Sequence, residues 1–299
     1  MKEMLKETWY PDPDIADLIR EGFCPAGRFE HCPVFDEKPE EEMMESADLE
    51  WLDLKSEEIR ADLEAMHRRS KDNEITQELW EMICGIENPK SEIAQGWAEG
   101  PLTSDEVSRR VGSHMWTAAH RFGVKQSDKT RQIDDFSRSF TNACTNTPDR
   151  ISLDSTDEIL AVAKTWIELM DQATKNGGTF WARWQNGEVT SHEMHKDFEK
   201  KENQRLMGTC VDLESAYRQL AVREDQKKYA VIGHSKEAKT HYFVQHALAF
   251  GASANVLHFN RAARSLNYLA HEIAGSVVTN FFDDFVCIAP TCVAVGMYA

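Results

Sequence analysis

The adjacent carboxylates Asp283 and Asp284 interrupt an apolar run, VVTNFFDDFVCI, of residues that favour strands. Two desolvated charges side by side are costly unless something positive meets them. The run therefore reads as strand, turn, strand, with the doublet at the turn. Divalent cations are the usual partners of such a pair, because carboxylate oxygens are hard ligands. A doublet alone is more often an ordinary surface turn, so its neighbours in the chain decide between the two.

Those neighbours supply more strands. CVDLESAYRQLAV begins as a strand, KKYAVIG and THYFVQHAL are rich in strand formers on either side of the turn-like HSKEAK, and SANVLHFNRAARSLNYLAHEI has the length and spacing of a helix. With VVTNFF and FVCIA, this order predicts an α+β layer in which one antiparallel sheet is backed by a helix. Asp212 ends the first of these strands. Side by side with the strand leading to Asp283, it would bring both carboxylates to one sheet edge, as a two-metal site requires.

Upstream the chain changes character. Residues 1 to about 50 hold five prolines and the acidic patch Glu40-Glu41-Glu42, and predict an irregular, partly disordered leader. From Ser56, SEEIRADLEAMHRR sets Ile59, Leu63 and Met66 on one helical face behind a serine cap, and EITQELWEMICGI repeats the spacing. Thr103 with Glu106, and Ser155 with Glu158, have capping-box spacing, and the second helix is expected to stop near Asn176-Gly177-Gly178. Trp181 and Trp184 then read as packing aromatics. Residues 121 to 142 suggest a hairpin or loop presenting Lys125, Lys129 and Arg131.

The formal charge of -17, from 34 Lys and Arg against 51 Asp and Glu, is unevenly spread. Residues 1–120 hold 13 basic against 29 acidic side chains, and the remainder 21 against 22. The front end would repel a phosphate backbone; the rest is neutral enough to carry a local positive groove. Seven scattered cysteines without a Cys-x-x-Cys read as reduced thiols, and His192 with His195 as a solvated helix face. No signal-like stretch and no apolar run of bilayer length is present, which predicts a protein of nucleus or cytoplasm with no membrane partner.

In their order, VDLESAYRQL, AFGASANVLHF and FFDDF resemble the three central palm motifs of retroelement reverse transcriptases. KTRQIDDFS resembles the fingers motif of the same family, and EIAQGWAEGPL is similar to the lead-in of some retrotransposon polymerases. The resemblance runs from about residue 92 to 290. It implies right-hand polymerase fingers and palm over residues 91–299, behind an acidic, partly disordered and mainly helical N-terminal extension, residues 1–90.

The same resemblance implies roles for single residues. Asp212 and Asp283 would be the principal ligands of two Mg²⁺ ions, with Mn²⁺ as substitute, and Asp284 an auxiliary carboxylate. Leu213 would lend a backbone carbonyl. Lys129 and Arg131 would hold the incoming triphosphate, and Gly251 would let the backbone approach the nucleotide or template. Tyr217, five residues after Asp212, stands where the family carries an aromatic that blocks a ribose 2'-hydroxyl. The implied activity is RNA-directed DNA polymerisation, adding dNTPs to a primer 3'-end on an RNA or DNA template. The chain ends 15 residues after Asp284, so the family's thumb and RNase H region are expected outside it, as partners. The competing expectation is a catalytically inactive truncated retroelement remnant, serving as a nucleic-acid or protein-interaction module.

Overall fold

The computed structural model describes residues 1–43, 45–127, 129–184 and 186–294. In chain order the principal elements are α1 (Leu49–His67), α2 (Glu74–Cys84), β1 (Ala98–Leu102), α3 (Ser104–Val111), β2 (Ala118–Gln126), β3 (Lys129–Asp135), α4 (Thr156–Lys175), β4 (Thr179–Arg183), β5 (Val189–Glu193), β6 (Leu206–Asp212), β7 (Val231–Lys236), β8 (Lys239–Gln245), α5 (Ser253–Ala274), β9 (Val278–Phe281) and β10 (Asp284–Pro290). The fold is mixed α+β and separates into two compact units. The first comprises Met1–Lys2, Pro11–Ile151 and Ser215–Ala262; the second comprises Glu3–Tyr10, Ser152–Glu214 and the described residues from Ala263 on.

The first unit is built on a five-stranded mixed sheet, ordered β1-β8-β7-β2-β3. β7 and β8 form a hairpin, and β2 joins β7 in parallel, with Val231 opposite Ala118. On one face, Leu63 of α1 and Val107 of α3 pack with Trp116, Ala118, Val231, Tyr242 and Val244. Residues one step along each strand point the other way, and there Ile83 of α2 meets Ala98 and Phe243. Both faces are covered, so burial along β7 and the second half of β8 is continuous rather than alternating.

Two expectations change here. The strands of the C-terminal half do not form one antiparallel sheet: β7 and β8 belong to the mixed sheet, while β6, β9 and β10 form another. The cause is the parallel partner β2, which arrives from far upstream and takes the free edge of β7. Nor do the helices before residue 90 stand apart from a core, since Leu63, Leu79 and Ile83 are buried in the first unit. α1 begins at Leu49, with Asp48 in the N-cap position, rather than at Ser56. Ser56 lies inside the helix and is buried on the face of Leu52, Ile59 and Leu63. Of the segment expected to be irregular, Ile15–Glu21 is helical, and Ile15, Phe23 and Phe35 are buried.

The second unit holds an antiparallel sheet ordered β6-β10-β9, the hairpin β4–β5, and α4. α4 starts at the expected capping box of Ser155 and Glu158, and its Trp166 Nε1 donates to the Ile288 carbonyl at 3.0 Å. Trp181 and Trp184 are not packing aromatics, being 44% and 53% exposed. Their hairpin is a sheet of two strands only, so little covers its side chains. Among the described residues no helix is long and apolar enough to cross a membrane. Asp128, within the segment 121–142, and residues 295–299 of the apolar tail lie outside the described residues.

A candidate carboxylate site

β6 and β10 pair antiparallel from Leu206 opposite Pro290 to Asp212 opposite Asp284. Directly opposed residues share a face of the sheet, with Cα atoms roughly 4.5–5.5 Å apart. Asp212 and Asp284 therefore stand together at one end of the strands. The turn falls one residue earlier than the doublet suggested: Phe281 pairs with Asp284, leaving Phe282 and Asp283 as a two-residue loop. The neighbour of β6 is thus the strand that follows the doublet, not the one that precedes it.

The loop is tied from two sides. Leu213 N–H donates to the Asp283 carbonyl at 3.0 Å, pinning the end of β6 to the loop. Behind it, Asn280 Nδ2 donates to the Phe282 carbonyl at 2.6 Å, and Asn280 N–H donates to Asp154 Oδ2 at 2.7 Å. Arg264 reaches the other Asp154 oxygen at 3.2 Å and the Ser152 carbonyl at 2.7 Å. These ties hold Phe282 at φ +53°, where a residue with a Cβ is strained and glycine or asparagine is usual.

Sequence reading missed Cys210, although its place two residues before Asp212 puts it on the same face. Its Sγ donates to Asp284 Oδ1 at 3.6 Å. The thiol is pushed up from its ordinary value, by desolvation first and then by the charges of Asp284 and Asp212. The face is negative and open: Asp212 and Asp284 are exposed, and Asp283 is half-buried. Asn280 and Asp154, which hold the loop, were also missed. A polar residue inside VVTNFF was the available signal for Asn280; nothing local marked Asp154.

The remaining expected site residues belong to the first unit. Lys129 and Arg131 lie on β3, opposite Gln126 and Val124 of β2, and both are exposed with no ion pair among the described residues. The same face carries the exposed side chains of Phe122, Val124 and Ile133. Lys125 points the other way and is engaged by Glu78 at 3.1 Å and Glu74 at 4.0 Å. Tyr217 is buried in a 3-10 turn, its ring 4.6 Å from Phe250 and 4.8 Å from Phe259. Beside it, buried Arg218 donates to Glu92 Oε1 at 2.6 Å and to Gln245 Oε1 at 2.5 Å. Gly251 has φ +98°, and a Cβ there would sit 2.2 Å from the Asp134 carbonyl oxygen. The close approach this glycine permits is to the chain's own backbone.

No protein-family model matches the chain, and no curated protein matches it. Among the described residues no set of three or more His, Cys, Asp or Glu side chains is arranged to hold a metal ion. Two opposed carboxylates are nonetheless the complement Mg²⁺ takes from a protein when waters and phosphate oxygens fill its octahedron. Asp212 and Asp284 fit that ion in donor type, in register and in openness to a phosphate-bearing substrate.

Proposed function

We propose that the chain is the fingers-and-palm part of an RNA-directed DNA polymerase of the reverse-transcriptase kind. The observation that carries the reading is the register placing Asp212 opposite Asp284 on an open face, with Asp283 in the loop that Leu213 pins. Asp212, Asp284 and the adjacent Asp283 would hold Mg²⁺, which when bound activates the primer 3'-hydroxyl and neutralises the leaving pyrophosphate. Arg131 and Lys129, unpaired among the described residues, are free to bind the triphosphate of a dNTP, the guanidinium offering a bidentate fork. The Tyr217 ring is fixed by Phe250 and Phe259, and a fixed ring suits a wall against a ribose 2'-hydroxyl. An RNA or DNA template with its primer would be the partner, in the nucleus or cytoplasm.

Primer extension tests this: oligo(dT) on poly(rA), Mg²⁺ and dTTP, comparing the chain with Asp212→Asn and Asp283→Asn. Incorporation lost in both variants supports the assignment; incorporation that survives Asp283→Asn refutes it. A second reading, an inactive module that binds nucleic acid or protein, is favoured by the bare apolar stripe of Phe122, Val124 and Ile133 beside Lys129 and Arg131. It predicts binding of primer-template by the wild type with no extension.

A further inference from the structure

A cavity of about 450 Å³ opens in the first unit beside α1 and the start of β2, lined by Trp51, Lys55, Asp62, His120, Arg138 and Phe140 among others. Its size lies within the range of small-molecule sites, roughly 300–1,000 Å³. Nothing in the carboxylate site uses these residues.

The wall at His120 has a hydrogen-bonding device behind it. Buried His67 meets Thr240 Oγ1 through Nδ1 at 2.8 Å and His120 Nδ1 through Nε2 at 3.0 Å. Desolvation, and then the neighbouring His120, push His67 down to about 3; desolvation, and then Arg138, lower His120 as well. Both rings are neutral near pH 7, so each carries one N–H. Of the two nitrogens in contact, one donates and the other accepts. The Thr240 hydroxyl can do either, so the chain of bonds has two arrangements. His120 Nε2, which has no partner among the described residues, is a donor in one and an acceptor in the other.

The other lining groups are polarised. Lys55 is satisfied by Glu58 at 2.6 Å. Arg138 has no ion pair among the described residues, only its backbone N–H being bonded, to Asp135 Oδ1 at 2.9 Å. Asp62 likewise has no partner among the described residues. Trp51 and Phe140 pack edge to face with centroids 5.7 Å apart, and both stay partly exposed. Phe140 has φ +60°, an uncommon conformation for a residue with a Cβ.

We propose that this cavity binds a nucleoside monophosphate. Phosphate is an anion that a guanidinium fork binds bidentately, and the Arg138 side chain has no ion pair among the described residues. The Trp51–Phe140 pair offers aromatic surface for a planar base. Asp62 can only accept hydrogen bonds, so it selects a base edge carrying N–H donors, while His120 adapts to a donor or an acceptor. The site is independent of the carboxylate hairpin and of its proposed activity.

Titration calorimetry of the full chain with AMP, GMP, CMP and UMP tests the proposal, with the nucleosides, inorganic phosphate and L-tryptophan as controls. At least one nucleotide is expected to bind saturably, one per chain. Arg138→Ala, Trp51→Ala and removal of the phosphate should each weaken it about tenfold or more, equivalent to about 1.4 kcal/mol. Asp283→Asn should leave binding unchanged. The proposal is overturned if no nucleotide binds at millimolar concentration, or if L-tryptophan or phosphate alone binds as well. Retention in Arg138→Ala, or loss in Asp283→Asn, overturns it equally.

Discussion

Replacing Glu92 with Gln keeps the shape of a buried side chain and removes the negative charge that two buried guanidiniums share. Arg121 Nη1 reaches Glu92 Oε2 at 2.8 Å, and Arg218 Nη2 reaches Oε1 at 2.6 Å, with Gln132 Nε2 on the same oxygen at 2.8 Å. Arg121 retains the Asp134 carboxylate through bonds of 2.6 and 2.8 Å, whereas Arg218 is left with neutral amide oxygens, that of Gln245 among them, and no carboxylate among the described residues. Leaving a buried charge uncompensated costs about 3–5 kcal/mol, a large share of the roughly 5–15 kcal/mol that holds a domain together. Urea unfolding followed by far-ultraviolet circular dichroism measures it. The loss also has a pH signature. Burial favours the neutral acid, but Arg121 and Arg218 outweigh it and hold Glu92 below the ordinary carboxylate range. With a depressed folded pKa, the stabilisation is complete above the ordinary value of 4.5 and is lost as pH falls through the folded value. The gap between wild type and variant should therefore be full at neutral pH and narrow in acid. A loss under about 1 kcal/mol at neutral pH, against the magnitude above, or a gap that does not narrow in acid, would refute the reasoning.

Tyr217→Ala removes a ring packed on Phe250 and Phe259 and should cost about 3 kcal/mol in urea unfolding; a near-neutral result would mean the ring is not held there. Any gain in ribonucleotide incorporation by that variant must be scored per folded molecule. Gly251→Ala drives a Cβ against the Asp134 carbonyl at positive φ, so a loss of about 2 kcal/mol or more is expected, and an unchanged melting temperature would contradict the close approach. His67→Gln removes a histidine held neutral by burial. Wild-type stability is intact above the ordinary value of 6.5 and declines as pH falls toward about 3. The variant's melting temperature should fall less steeply between neutral and mildly acid pH, and equal slopes would count against the assignment.

Features set by neighbours in sequence were legible from the sequence. The Thr103–Glu106 and Ser155–Glu158 boxes form because both partners lie within one helical turn. Lys129 and Arg131 fall on a hairpin because turns and alternation constrain short segments tightly. Ser56 misled because a small polar residue can sit on a buried helix face, and because Leu49 and Leu52 extend the pattern upstream of it. The division into two sheets was not legible, since the parallel pairing of β7 with β2 depends on partners far apart in the chain. Glu92, Arg121 and Arg218 sit in stretches that say nothing of each other, so their shared burial emerges only in three dimensions.

The strand β3 is an edge of its sheet, and among the described residues no other strand pairs with its outer side. Unpaired edges are templates for another chain, and Ile133 with Phe122 and Val124 gives this one an apolar surface as well. Lys129 and Arg131 are then guards against association, whatever else they bind, because charges on an edge strand repel a second copy. Neutralising both to test the proposed triphosphate binding would also remove that protection. The activity of such a variant has meaning only beside its sedimentation or light-scattering profile.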